Sequence, residues 1–314
     1  EMMSLYSFLS AIELGLIYSL MVLGLFLSYR VLNIPDLTVD GSFTLGAAVA
    51  VVMTLSGHPI LGLFAAILAG AAAGFLTAFL QTKMKIQPIL AGIITMTALY
   101  SINLMVMDDK ANVPITQQES IYTAFGSLVG KQAQGMILSL LVLILAGAAM
   151  VLFLKTPFGL SVRATGDNES MVRSSSINAD LTKTAGLMGA NACVALSGAM
   201  IAHYNCYAEV RMGIGMVVIG LASFIIGEIA VGIFVKRKGV LSGVVAAAVG
   251  SILYRLIIAQ ALELNFSSSS LKLITAIIVA LAMSYPAICD SIALFRKKSQ
   301  AKSSKGKMGG NLSC

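Results

Sequence analysis

Three acidic side chains stand in stretches that are otherwise apolar, and these are the residues of the chain best suited to chemistry. Asp36 and Asp40 lie in NIPDLTVDG, residues 33–41, and Glu228 lies in the apolar run GLASFIIGE. A charge at the centre of a membrane helix costs about 2.5–3.5 kcal/mol on insertion scales, so an ionisable residue there is a candidate functional residue.

Asp36 and Asp40 can be interpreted in two ways. Pro35 breaks any helix through residues 33–41, and broken backbone at membrane depth is tolerated where it is buried in protein or lines a cavity. Asp36 and Asp40 could therefore border a solute route or an inner gate. Alternatively, both could cap the helix that follows. We interpret Asp40 as a cap of its own helix and leave both readings open for Asp36.

Glu228 lies in the inner half of a predicted span, where capping does not explain it. We expect it to pair with a basic neighbour such as Lys236 or Arg30, or to serve a gate. A proton relay would place several aligned acids deep in the spans, and the sequence has no such pattern.

The sequence lacks the motifs for nucleotide binding, metal binding and nucleophilic catalysis. The nearest approach to a phosphate-binding loop, GSLVGK at 126–131, has too short a spacing and no following Ser or Thr. Four scattered cysteines and two histidines have no metal-ligand spacing, and no Ser/His/Asp set is evident. We therefore predict that the chain is not an enzyme and has no catalytic residue, cofactor or metal site. Any ATP hydrolysis would belong to another polypeptide.

The elements that must position these residues are membrane helices. The mean hydropathy is +0.90, with 58% hydrophobic and 11% charged residues, which excludes an ordinary soluble domain. The formal net charge is +7, and the basic residues responsible for it lie in short loops and in the tail FRKKSQAKSSKGK. That distribution fits membrane topology and anionic headgroups and does not indicate nucleic acid.

Apolar windows of about 20 residues, the length that crosses a bilayer, predict a polytopic all-α protein. The nine predicted spans are 8–32, 42–55, 60–81, 89–106, 135–154, 185–204, 213–235, 240–259 and 271–288. We expect residues 1–295 to form one transmembrane domain and residues 296–314 to form a disordered, basic cytoplasmic tail.

The basic clusters all fall on one side of this arrangement. They are Arg30, Lys83 with Lys85, the stretch from Lys155 to Lys183, and residues 236–238. Because inner loops carry the excess of Lys and Arg, this side is predicted to be cytoplasmic. The chain is then a multi-pass cell-membrane protein with its N-terminus outside and its C-terminus inside.

The stretch from Lys155 to Lys183 is the longest strongly polar interval between spans. Asp167 could cap a short helix over Asn168 to Ser175, with Met171 and Val172 as an apolar knob beside Arg173. Such a helix suits docking into a groove of a soluble partner. The alternative is a solvated loop with a chance capping pattern.

A weak internal repeat links residues 41–106 with residues 213–283. Each consists of a span led by Gly, a span rich in Gly and Ala, and a final span, and the predicted topology gives the two copies opposite orientations. Inverted repeats of this kind are common in transporters. The alternative is that spans rich in Gly and Ala all look alike.

Three stretches in this order carry a family resemblance: GLFLSYRVLNIPDLTVDGSFTLGAAVA, RATGDNESMVRSSSIN and GMVVIGLASFIIGE. Over about residues 8–290 the chain resembles the permease subunits of ABC importers of the branched-chain amino acid and ribose type. Within that superfamily it is most similar to permeases that pair with tryptophan/tyrosine-type substrate-binding lipoproteins.

The resemblance implies an inverted-repeat fold of antiparallel membrane helices related to the vitamin B12 importer. It implies two permease copies, here expected to be a homodimer, with two separate ATPase subunits and an extracellular substrate-binding lipoprotein. The solute would be small, an amino acid of the aromatic or branched-chain type. Other branches of the family carry sugars or nucleosides, so an ABC permease for those solutes stays open, as does an ion-coupled secondary transporter.

The resemblance also assigns roles by position. Within a cytoplasmic coupling loop, residues 155–184, the residues expected to couple to the ATPase are Arg163, Gly166, Asp167, Asn168, Glu169, Met171, Val172 and Arg173. The residues expected along the translocation path are Asn33, Pro35, Asp36, Asp40, Ser42, Phe43, Met216, Ser223, Phe224 and Glu228.

Overall fold

The computed structural model describes residues 5–115, 120–123, 125, 134–234 and 239–263, with single residues at 273, 276, 277, 280 and 284. The chain divides into two compact units, Glu1–Phe266 and Ser267–Cys314, and the fold described here is that of the first. Most of the predicted ninth span, the GSLVGK stretch, the basic cluster 236–238 and the tail 296–314 lie outside the described residues.

Helices make up nearly all of the described chain, which confirms the prediction of an all-α polytopic membrane protein. Eight of them are long and apolar enough to cross a membrane. In chain order the elements are α1 (Leu5–Leu25, continued by a π-helical turn, Phe26–Val31), α2 (Thr38–Leu55), α3 (Pro59–Thr82), α4 (Pro88–Val106), β1 (Asn112–Pro114), α5 (Gln134–Lys155), α6 (Pro157–Asp167), α7 (Glu169–Ser174), α8 (Ala179–Asn205), β2 (Tyr207–Glu209), α9 (Met216–Phe234) and α10 (Val240–Glu263).

Two helices begin about four or six residues earlier than hydropathy predicts, whereas the other starts differ less. α2 begins at Thr38 and not at Ser42, so Asp40 lies inside its first turn. α8 begins at Ala179 and not at residue 185, because the Asn178 side chain accepts hydrogen bonds from the first backbone N–H groups. The polar first turn of α8 is too hydrophilic to register in a hydropathy window, but a good cap is enough to extend the helix there.

α8 is the central helix and packs on α1, α2 and α3. The contacts are close because small residues face neighbouring backbones. A side chain at Gly74 would meet the backbone of Leu187, and one at Gly198 would meet the carbonyl of Phe43. Membrane helices associate through such close packing, since the lipid provides no hydrophobic force between them.

Antiparallel helices give the bundle two ends. We call the end with α6 and α7 the loop end, and the end where β1 pairs antiparallel with β2 the sheet end. The link that follows the π-helical turn, residues 32–37, includes Asn33 in a left-handed conformation (φ 55°) and reverses the chain.

α2 begins inside the bundle and not at the loop end. Phe43, in its second turn, stacks on Tyr18 in the middle of α1, with ring centroids 5.9 Å apart. From the opposite side, residues 210–215 turn back from the sheet end, and the Gly213 N–H donates to Thr44 Oγ1 of α2 (3.1 Å).

α9 therefore also begins within the bundle, beside the start of α2. It runs to the loop end, where Glu228 meets Arg30. The two helices point in opposite directions, as an inverted repeat requires. The final span of the second copy, within residues 271–283, falls mostly outside the described residues. The repeat therefore stays a prediction.

The packing of α9 on α10 generates a testable prediction. A Cβ at Gly227 would overlap the Ala246 carbonyl, whereas a Cβ at Gly232 on the same helix would meet nothing within 4 Å. Gly227→Ala should destabilise the protein by about 1–3 kcal/mol through overpacking. Gly232→Ala should leave stability unchanged or raise it, by up to about 1 kcal/mol, because glycine is unfavourable in a helix interior.

Thermal stability of the full chain in detergent, followed by size-exclusion chromatography after heating, measures both variants. Equal melting temperatures for the two would contradict the close approach of α9 to α10.

Candidate functional site

The first site is the point where α2 and α9 begin, which we call the helix junction (residues 36–44 and 213–217). Asp40 Oδ2 accepts a hydrogen bond from Gly215 N–H (2.8 Å), and Asp40 Oδ1 accepts one from Val217 N–H (2.9 Å). The carboxylate thus caps α9. The prediction that Asp40 caps its own helix is wrong, because the side chain reaches the helix that faces it.

Asp36 lies two residues before α2 and binds the first backbone N–H group of that helix. Its Oδ1 accepts from Thr38 N–H (2.9 Å), and its Oδ2 accepts from Asn191 Nδ2 (2.7 Å). The Asp36 side chain is buried, with only 3% of the residue exposed. The capping reading that the sequence left open is therefore the one the geometry favours.

Asn191 is a site residue that sequence reasoning missed. Besides Asp36, it contacts Ser42, whose hydroxyl donates to Asn191 Oδ1 (2.7 Å). This fully buried amide ties α8 to the start of α2. A polar amide in the middle of an apolar span was the available signal, since such residues are usually partnered across helices.

The other residues expected along the translocation path differ in how far they are buried. Ser42, Phe43 and Ser223 are buried within this subunit, and Phe43 and Ser42 pack against other helices of the bundle. Met216 is partly buried at the start of α9. Asn33 and Pro35 are exposed in the link before α2.

The second site is a cavity of about 470 Å³ at the loop end, which we call the charged cavity. It lies among the π-helical turn, α6, α9 and α10, and its charged lining residues are Arg30, Arg163, Asp167 and Glu228. The Arg30 guanidinium donates to Glu228 Oε1 at 2.8 Å, which confirms one of the two partners expected for Glu228.

This cavity brings together the two sets of residues that the sequence treated separately. Arg163 and Asp167 come from the expected coupling set, whereas Phe224 and Glu228 come from the expected path set. The link is close: Gly166 of α6 lies so near the Val31 carbonyl that a Cβ there would overlap it. α6 therefore rests directly on the π-helical turn that carries Arg30, and π turns often occur at functional sites.

The short helix after α6 forms as predicted, but its cap and its exposed face differ. Asn168, and not Asp167, is the cap: its Oδ1 accepts from Met171 N–H (3.1 Å), because Asp167 is still helical at the end of α6. Val172 is buried (4% exposed) and Met171 is exposed (67%). The apolar knob is thus one methionine and not a pair.

A network of four charges fixes α7 to the first turns of α8. Glu169 accepts from Arg173 (2.9 Å) and from Lys183 Nζ (2.6 Å), and Arg173 also donates to Asp180. Lys183 first, and Arg173 with it, lowers the pKa of Glu169 below its ordinary value. The network ties the short helix α7 to α8 and gives Arg173 a positioning role.

The described residues contain no group of three or more His, Cys, Asp or Glu that could hold a metal ion. The contacts of the loop end form a continuous chain. α7 is joined to α8 by ion pairs, and α6, which precedes α7, packs on the π-helical turn that carries the Arg30–Glu228 pair.

The helix junction yields a prediction about stability. Asp40→Asn should lower the free energy of unfolding by about 1–3 kcal/mol, because the amide NH₂ cannot accept and leaves a backbone donor of α9 unsatisfied. Asp108→Asn removes the same charge from an exposed side chain near the sheet end and should have no effect. Thermal melting of the full chain in detergent measures both. A melting temperature for Asp40→Asn equal to that of Asp108→Asn would exclude the cap.

The charge network yields a prediction about pH. Because the folded pKa of Glu169 is depressed, its ionised form stabilises α7 above the unfolded value near 4.5. That contribution is lost as pH falls through the folded pKa. Glu169→Gln should mimic the loss at neutral pH and increase hydrogen exchange in residues 169–175, whereas Asp108→Asn should not. Unchanged exchange in Glu169→Gln would remove the network as the support of α7.

The chain is similar to a known protein family and to individual known proteins. The family described as "Branched-chain amino acid transport system / permease component" matches residues 7–281. A "Tyrosine transport system permease protein" of Clostridioides difficile (strain R20291) is 37% identical over 272 residues, covering 86% of this chain and 88% of that protein. An uncharacterised protein of Rickettsia prowazekii (strain Madrid E) is 30% identical over 276 residues, covering 88% and 96%.

No solved structure matches the chain. The family match extends over most of the sequence and includes the helix junction, the charged cavity and α7. The chain belongs to the family of permease components of branched-chain amino acid transport systems.

Proposed function

We propose that this chain is the membrane subunit of an ATP-driven importer. It forms the path for an aromatic amino acid of the tyrosine type, which an extracellular binding lipoprotein delivers. The observation that carries the proposal is α7, a short helix that presents one exposed methionine and is tied to α8 by a network of four charges. The solute class rests on the 37% identical tyrosine permease.

A short, ordered helix at the end of a bundle is well suited to docking by a soluble ATPase subunit. Side chains that dock into a groove are most useful when their helix is already ordered, since less conformational freedom is lost on binding. Met171 provides the apolar contact. The charged side chains around Met171 keep the surface of α7 hydrated when the partner is absent.

We propose that the loop end faces the cytoplasm. The basic residues of the described chain are concentrated there, and an excess of Lys and Arg marks inner loops. Those residues are Arg30, Lys83, Lys85, Lys155, Arg163, Arg173 and Lys183. The N-terminus then lies outside, and a C-terminal tail after a ninth span lies inside.

In the proposed cycle, two ATPase subunits close on ATP and displace α7. The displacement moves α6 against the Val31 carbonyl and shifts the π-helical turn that carries Arg30. The Arg30–Glu228 pair joins this turn to α9. Exposed ion pairs of this kind contribute about 0–1 kcal/mol, so the pair can open and close without a large barrier.

We propose that two copies assemble. The charged cavity is lined entirely by segments at the loop end and does not reach the sheet end. A route across the membrane therefore needs a further surface, and a second copy of the same chain is the simplest source. The carboxylates of the helix junction favour this importer over an ion-coupled transporter, because Asp36 and Asp40 are both engaged by hydrogen bonds from backbone N–H groups at helix starts.

Docking is tested by capture of the proposed ATPase partner. Met171→Ala should reduce the amount of ATPase that co-purifies by tenfold or more, because the exposed side chain is the apolar contact. Arg173→Ala should also reduce capture, by loosening α7. Met105→Ala changes an equally exposed methionine on α4 near the sheet end and should leave capture intact.

Full capture of the ATPase by Met171→Ala would remove α7 from the docking surface. Loss of capture in Met105→Ala as well would indicate a general effect on the membrane domain, and it would count against a local contact at α7.

A further inference from the structure

We infer that the charged cavity is itself a binding site for a zwitterionic amino acid with an aromatic side chain. The inference rests on the proposed function and deepens it, because it places recognition of the solute within this subunit as well as in a delivering protein. The site is formed by Phe26, Arg30, Arg163, Asp167, Phe224 and Glu228.

The described charges of the cavity suit both ends of a free amino acid. Its described lining holds two guanidinium groups and two carboxylates, so both signs of charge are present. An α-amino acid carries one carboxylate and one ammonium, so it needs a cation and an anion close together. Arg30 and Arg163 can bind the carboxylate, since guanidinium groups present paired donors that fit it. Asp167 and Glu228 can accept from the ammonium.

The existing ion pair does not block such a ligand. Arg30 and Glu228 bond to each other at 2.8 Å, but their side chains are 50% and 39% exposed. Because solvent already competes for both groups, a ligand that supplies a carboxylate to the one and an ammonium to the other can replace their mutual contact. A neutral sugar would have to break the pair without replacing its charges.

The apolar part of the cavity suits an aromatic side chain. Phe26 and Phe224 both line it, with ring centroids 5.7 Å apart and planes inclined at 36°. Both residues are largely buried, with 5% and 4% exposed, so the edges of their rings give the cavity an apolar, aromatic wall against which a ligand ring can pack. The volume of about 470 Å³ lies within the range of roughly 300–1,000 Å³ typical of small-molecule sites.

The position of the site gives it a role. Arg163 and Asp167 lie on α6, Arg30 on the π-helical turn and Glu228 on α9, so a bound amino acid would bridge the elements that couple α7 to the path. Displacement of α6 would pull the two halves of the site apart. Release of the solute would then follow the movement of the coupling helix.

The test uses the full chain in lipid nanodiscs without any binding protein, and measures ligand binding by saturation-transfer NMR. L-tyrosine should bind saturably. Tyramine, which lacks the carboxylate, 3-(4-hydroxyphenyl)propionate, which lacks the ammonium, and L-leucine, which lacks the ring, should each bind at least tenfold more weakly. Equal binding of L-tyrosine and tyramine, or of L-tyrosine and L-leucine, would overturn the assignment.

Variants locate the binding. Arg163→Gln and Glu228→Gln should each weaken L-tyrosine binding tenfold or more, and Arg163→Lys should weaken it less because the charge remains. Lys110→Gln removes a charge from an exposed ion pair near the sheet end and should not change binding. Unchanged binding in both Arg163→Gln and Glu228→Gln would place L-tyrosine elsewhere. The ligand series on the unaltered chain decides the matter if a variant fails to elute as a single species.

Failure of the site can be told from failure of the proposed function. Vesicles holding the chain, its ATPase and its lipoprotein should take up labelled L-tyrosine only with ATP. Uptake without any binding to the isolated chain would refute the site and keep the importer. Uptake that proceeds under an ion gradient alone, or no uptake of any amino acid, would refute the importer.

Discussion

The whole arrangement depends on where the backbone donors at the start of α9 find acceptors. A helix that begins at an interface can leave its first N–H groups to water, but one that begins inside a membrane bundle cannot. Asp40 resolves this by accepting from Gly215 and Val217. Asp36 does the same for α2 by accepting from Thr38. Two helices can thereby begin side by side at membrane depth and run in opposite directions.

This junction explains why the surrounding packing is so close. Two broken segments, residues 32–37 and 210–215, are not helical, so their backbone groups need partners within the protein. α8 supports the first segment: Asn191 binds Asp36 and Ser42, and Gly198 allows α2 to pack against its backbone. α2 supports the second segment, because Thr44 and Asp40 accept from the N–H groups of Gly213 and Gly215. The centre of the bundle is therefore polar at a few points and otherwise dense.

The loop end is built on a different principle. Ion pairs between partly exposed side chains join its elements: Arg30 pairs with Glu228, and Glu169 pairs with both Lys183 and Arg173. The single Arg30–Glu228 pair is weak and easily exchanged, whereas the linked pairs of Glu169 hold α7 on α8 together. In the proposed importer, the loop end can therefore move at the Arg30–Glu228 pair while α7 stays on α8. The charged cavity lies at this pair, beside α9.

Sequence reasoning was most successful where a property is local. The length of an apolar run predicts a membrane helix, and the eight spans of the described chain agree with prediction to within a few residues, except where Asp36 and Asn178 extend α2 and α8. It was least successful in choosing partners. A carboxylate next to a helix start was read as the cap of that helix, whereas Asp40 crosses to α9 and Asn168 takes the role expected of Asp167.

The sequence by itself determined that this is an all-α membrane protein with a long polar stretch between two of its spans, and it named Arg30 among the possible partners of Glu228. Only the tertiary structure decided which helix each carboxylate serves, that Asn191 holds the junction, and that Arg163 and Glu228 line one cavity. The reason is that hydropathy and capping act over a few neighbouring residues. Hydrogen-bond partners more than a hundred positions apart depend on how whole helices pack.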